Sequence, residues 1–170
     1  YVTRDNLSEL DPEKYPHFHQ HMAPYQARLA NRRETKSGAM EWFHLHWPRR
    51  ETLFAKGPKL VCPTRVIRPA FAYVEAPYYA SRAVNMLVST RIDLRFLAGV
   101  LNSSVVHFWL MHRGKRLGKM LQIDTSFLLS IPIPRSPELE PPIIEAVGAI
   151  QNALRVRGEA RSDRDKRNAA

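Results

Sequence analysis

Residues 112–122 read HRGKRLGKMLQ, which places Arg113, Lys115, Arg116 and Lys119 within seven residues, interrupted by Gly114 and Gly118. Cations beside a helix C-terminus gain only about 0.3–1 kcal/mol each from the dipole. That gain accounts for one or two of them. Four so close repel one another and call for a polyanion, and the phosphates of a nucleic acid supply one. Gln122, at the edge of the same stretch, carries an amide able to read a base edge.

Other stretches offer related chemistry. In CPTRVIRPAF, Arg65 and Arg68 flank a proline-stiffened turn. A guanidinium fork held there matches the two acceptors of a guanine edge; the alternative is a plain exposed turn. In WFHLHWPRRE, Trp42, Phe43 and Trp47 precede Arg49 and Arg50. Aromatics beside arginines stack on bases or support phosphate contacts, and they equally suit a core strand with a basic end. His17, His19 and His21 alternate, as do His44 and His46. No acidic or cysteine partner stands at a recognised metal-ligand spacing, so these read as surface or packing histidines.

Several chemistries lack their motifs. There is no GxGxxG or GxxxxGK[ST] phosphate loop and no GxSxG serine elbow. A metal-dependent nuclease needs clustered carboxylates. Residues 49–122 hold only Glu51, Glu75 and Asp93 against 13 basic side chains, a net +10. Residues 1–48 balance 6 basic against 6 acidic, and residues 123–170 balance 7 against 7. The whole excess sits in the middle of the chain, as a polyanion-binding surface requires, unless the charges scatter over a solvated face. The expectation is binding without catalysis, with no metal.

These side chains need a scaffold, and 170 residues at 44% hydrophobic content suffice for one domain with a core. No apolar run reaches the roughly 20 residues that span a bilayer. The single cysteine, Cys62, excludes an internal disulfide and fits a reducing cytoplasm. The expected fold class is α+β: a short-stranded, irregular, mostly antiparallel sheet packed with several helices, and a C-terminal helix. A short helix and then a longer one from Pro24 are expected in the first part. KLVCP, FAYVEAPYYAS and VNMLVST read as strands kept short by prolines. Asp93 caps a helix whose apolar stripe runs Leu94, Leu97, Ala98, Leu101, continued by Val105, Phe108, Trp109 and His112, with a break at Asn102 and Ser103. After the basic loop, Asp124 caps a short helix ending in the extended IPIP. The last helix starts at a double proline and buries Ile143, Val147, Ile150 and Leu154. Residues 1–14 are expected to lead in from a preceding domain, 15–135 to form the recognition domain, 136–160 its C-terminal helix, and 161–170 a disordered tail.

In order along the chain, four stretches resemble the C-terminal target-recognition domain of TaqI-type adenine-N6 DNA methyltransferases, including type IIG restriction–modification enzymes. They are YPHFHQHMAPYQARLANRRE, WFHLHWPRRETLFAKGPKLVCP, FAYVEAPYYAS and, most strongly, LAGVLNSSVVHFWLMHRGKRLGKMLQIDTSFLLSIPIP. The resemblance implies a DNA-binding part of a restriction-modification system that is itself non-catalytic. Methyl transfer and the S-adenosylmethionine site would lie in a preceding N-terminal methyltransferase domain, since no NPPY-type motif occurs here. Partners would be double-stranded DNA and that domain, with no membrane. Arg113, Lys115, Arg116 and Lys119 would hold phosphates. Arg49, Arg50, Arg65, Arg68 and Gln122 would contact backbone or base edges. An RNA-binding module, or a protein-interaction domain of a phage-defence complex, remains an alternative.

Overall fold

The run KLVCPTRV is extended almost from end to end and feeds two sheets. Its first part is β1 (Lys59–Pro63), and after Thr64 it resumes as β2 (Arg65–Val66). This was seen in a computed structural model that describes residues 1–168. The chain divides into two units, Tyr1–Glu51 and a second from Thr52 onward. The boundary falls inside the stretch 15–135.

In the second unit, α4 (Thr52–Ala55) leads into β1, which lies between β3 (Ala72–Val74) and β4 (Val84–Leu87) and pairs antiparallel with both. Leu60 and Cys62 are fully buried, as a central strand's apolar residues should be. The second sheet has the order β2, β6 (Met120–Gln122), β5 (Lys115–Leu117), also antiparallel. One sheet was expected and two small ones form. Thr64 joins them: its N–H donates to Ala83 O at 2.8 Å and its carbonyl accepts from Ile123 N at 2.8 Å. Asn85 adds a bond from Nδ2 to Ile123 O at 2.7 Å.

Asp93 caps α5 (Leu94–Leu101) as expected, its carboxylate accepting from Arg95 N and Phe96 N. Phe96, Leu97 and Leu101 enter the core with Leu60, Phe71 and Leu121. Asn102 closes α5 and clasps the Phe71 backbone, accepting from its N–H and donating to its carbonyl, both at 2.8 Å. Ser103 starts α6 (Ser104–Arg113) by accepting from Val106 N. The two axes differ by 62°. That bend breaks the expected stripe: α6 buries Val106 and Leu110, while Val105 and Phe108 are exposed.

After α7 (Thr125–Ser130), the last helix, α8 (Glu140–Asn168), lies along α5. Ile143, Ile144 and Val147 pack against the core, and Gln151 Nε2 donates to Tyr73 O on the edge strand β3 at 3.1 Å. Ile150 and Leu154, expected on the buried edge, are exposed, because the contact follows 143, 147 and 151 along the helix. The helix runs past residue 160 to Asn168, through stretch 161–170 as far as that residue; residues 169–170 lie outside the described residues. No single helix among the described residues is long and apolar enough to cross a membrane.

The first unit holds α1 (Pro16–Met22), a 3₁₀ turn (Ala23–Tyr25), α2 (Gln26–Ala30) and α3 (Arg33–Lys36). The longer helix expected from Pro24 is therefore a 3₁₀ turn and a five-residue helix. Residues 1–14 are tied into this unit: Leu45 N donates to Val2 O at 2.9 Å, and the His44 ring bonds Leu7 O at 2.6 Å. The helices, antiparallel sheets and C-terminal helix together make the fold α+β.

Candidate nucleic-acid interface

The basic stretch after α6 is a β-hairpin, not a loop. Gly114 is extended, at φ −80° and ψ 168°, where a Cβ would run into the Leu110 carbonyl. The chain then forms β5, turns through Gly118 and Lys119, and returns as β6 with Leu117 opposite Met120. Gly118 has φ 60°. A glycine with positive φ at the first of two turn positions is what a type II′ hairpin demands. The register of β2, β6 and β5 then sorts the side chains. Arg65, Gln122 and Lys115 stand opposite one another across the three strands, and Val66, Leu121 and Arg116 form the next row.

Successive residues of a strand face opposite sides. Val66 and Leu121 are buried, so their row faces the core. The row Arg65–Gln122–Lys115 therefore faces solvent, with Leu117 and Met120 beside it on the same face. Adjacent partners in such a row lie about 4.5–5.5 Å apart at Cβ. Two cations thus flank one amide on an outward surface. Arg116 belongs to the opposite face and reaches solvent because β5 is an edge strand. Lys119 sits in the turn, Arg113 ends α6, and Arg68 follows β2 on an exposed segment. None of Arg65, Arg68, Arg113, Lys115, Arg116 and Lys119 is ion-paired among the described residues.

Gln122 is half-buried and already engaged. Its Nε2 donates to both carboxylate oxygens of Asp124, at 2.8 and 3.1 Å. Asp124 occupies the N-cap position of α7, but its side chain makes no capping bond, so its expected role goes to orienting Gln122 instead.

Other cations of the central region serve the fold. Lys59 is fully buried, and its ammonium donates to the carbonyls of Phe54 (3.1 Å), Gly57 (2.9 Å) and Ala76 (3.5 Å). Arg95 pairs with Glu75 at 2.9 Å and lies over the Tyr73 ring. Burial, followed by the hydrogen bond to Glu75, raises the Tyr73 hydroxyl above its ordinary range.

Arg49 and Arg50 belong to the first unit, with the aromatic stretch. There the sequence's two readings both apply, to different residues. Phe43 is buried edge-on to Trp42 and His44. Trp47 is 77% exposed. It is the one non-glycine residue with positive φ among the described residues, at 57°, a conformation costing on the order of 1–3 kcal/mol. His44 is structural: Nδ1 accepts from Glu41 N at 3.0 Å, which leaves Nε2 to carry the proton toward Leu7 O. His46 meets Glu34 at 3.3 Å. A backbone hydrogen bond, helped by His46, holds the Glu34 carboxyl below its ordinary range. No group of three potential metal ligands occurs among the described residues.

The hairpin was within reach of the sequence. Lys115, Leu117, Met120 and Gln122 fall on one face around a glycine-first two-residue turn, a pattern hidden by reading the stretch as charge alone. Residues 13–133 match the family model described as the TaqI-like C-terminal specificity domain. No curated protein matches the chain.

Proposed function

The chain belongs to the TaqI-like C-terminal specificity domain family, and from that premise we propose that it reads duplex DNA for an adenine-specific methyltransferase domain preceding it. The observation that carries this reading is the solvent-facing row Arg65–Gln122–Lys115, with the hairpin turn projecting beyond β2. A major groove admits a two-stranded β-ribbon. Cations at the two ends of the row suit phosphates or guanine edges, and an amide oriented by a carboxylate suits a base edge. Arg113, Arg116 and Lys119 surround the ribbon as phosphate contacts, and Arg68 adds a cation beside β2. Arg49 and Arg50 supply further backbone contacts from the first unit.

On this reading, methyl transfer and S-adenosylmethionine belong to the preceding domain. Service in a type IIG restriction–modification enzyme of the cytoplasm accords with the family and with the lone buried thiol.

The test is enrichment from a randomised duplex pool, followed by titration across salt. One recovered sequence should bind with a log–log salt slope near −4.5, the value for about five neutralised phosphates. A flat slope, or binding to single-stranded RNA in preference to any duplex, contradicts the reading.

A further inference from the structure

In the first unit, the segment after Phe43 is held by a dense set of bonds. The Arg32 guanidinium donates to the carbonyls of Glu41 (3.3 Å), Trp42 (2.7 Å) and His44 (3.1 Å). Leu45 N is pinned to Val2 O, and the Tyr1 hydroxyl donates to Arg49 O. Pro48 fixes the bond that follows. Between these anchors Trp47 takes its left-handed conformation and leaves most of its indole in solvent. An unfavourable backbone persists only where its surroundings over-determine it, and such outliers gather at binding sites. Here the surroundings hold a large aromatic ring outward, at the edge of a cleft of about 560 Å³ that Arg4, Asp5, Glu34, Met40, Leu45 and Pro48 also line. The next residues in the chain are Arg49 and Arg50.

We propose that Trp47 is a stacking platform for an unpaired base of the bound DNA, with the strand's phosphates met by Arg50. Every base presents a π-face, so an exposed indole takes it without regard to sequence. Arg4 on the cleft and Arg49 and Arg50 next in the chain outnumber the Asp5 and Glu34 carboxylates that share it, so the balance beside the indole is positive, which suits a nucleic-acid strand better than an apolar protein contact. The site rests on the reading that the chain binds DNA. It adds a second kind of contact, to a base outside the helical stack, in a unit separate from the hairpin.

The experiment compares a fully paired duplex with the same duplex carrying one unpaired purine, using wild type, Trp47→Gly and Trp47→Phe. Glycine adopts a φ of 57° without strain, so Trp47→Gly removes the ring and keeps the backbone. Wild type should prefer the bulged duplex by at least about fivefold, the lower end of base–aromatic stacking. Trp47→Gly should bind both duplexes alike, with its affinity for the paired one within about twofold of wild type. Trp47→Phe should keep most of the preference. An equal preference in wild type and Trp47→Gly overturns the proposal, as does a wild type that binds both duplexes equally. If wild type binds neither duplex, the DNA-binding reading itself fails and this site goes with it.

Discussion

Gln122 and Asp124 are joined through both carboxylate oxygens, at 2.8 and 3.1 Å from the glutamine Nε2. A flexible amide in the middle of the outward row Arg65–Gln122–Lys115 is thereby set in one orientation. Bidentate base reading requires that kind of pre-organisation, because the entropy of fixing the side chain is spent before DNA arrives.

Asp124→Ala frees the Gln122 side chain and removes a negative charge beside two cations. Affinity for random duplex should rise, while discrimination between the selected sequence and single-base variants should fall by roughly 1–3 kcal/mol at one position. Competition binding at fixed salt checks both. Unchanged discrimination would mean that Gln122 reads no base.

Lys115 and Arg116 face opposite sides of the edge strand, and neither is ion-paired among the described residues. The double variant Lys115→Ala with Arg116→Ala should weaken duplex binding and reduce the salt slope by about 1.8, the value for two phosphates. Its melting temperature should stay close to wild type, since exposed substitutions shift stability by about 0.5 kcal/mol or less. A large fall in melting temperature would make these side chains structural.

Lys59 behaves in the opposite way. Lys59→Met leaves the carbonyls of Phe54, Gly57 and Ala76 without their shared donor inside the protein. The expected loss is about 2–4 kcal/mol, seen as a melting temperature lower by roughly 5–15 °C. The salt slope of whatever DNA binding remains should not change. A reduced slope with unaltered stability would place Lys59 on the DNA instead.

Burial raises the Cys62 thiol above its ordinary 9.0. The folded state therefore holds its proton more tightly than the unfolded chain does. This contribution to stability is complete below about pH 9 and is lost as pH rises from there through the folded-state value. Denaturant unfolding between pH 8 and 11 should show a decline that is shallower in Cys62→Ala. In the native protein the thiol should react with a thiol reagent only on the timescale of unfolding; prompt native labelling would contradict its burial.

What the sequence revealed followed from local chemistry. Asp93 as a cap and KLVCP as a short buried strand are each decided by a few neighbouring residues, and both stand. The failures came where a long-range constraint chose between faces. Val105 and Phe108 continue an apolar stripe only on a straight axis, and Asn102 bends it by clasping Phe71. Ile150 and Leu154 match helical spacing but lie off the side of α8 that meets α5. For the candidate interface, the residue types in HRGKRLGKMLQ pointed to a polyanion. That Arg65 joins Lys115 in one row could not be read locally, because it depends on the chain passing at Thr64 from β1 in one sheet to β2 in the other. Lys59 counted toward the basic surplus and proved buried, since the carbonyls of Phe54 in α4, Gly57 in the adjoining turn and Ala76 seventeen residues on converge on its ammonium.

The most direct test is amide mapping by NMR, or hydrogen exchange, of the chain saturated with the duplex recovered by selection. The strongest perturbations should fall on Arg65, Val66, Lys115–Leu117, the Gly118–Lys119 turn and Met120–Gln122. Perturbations confined to α8 and the outer face of α6, with these strands unmoved at saturation, would contradict the proposed interface.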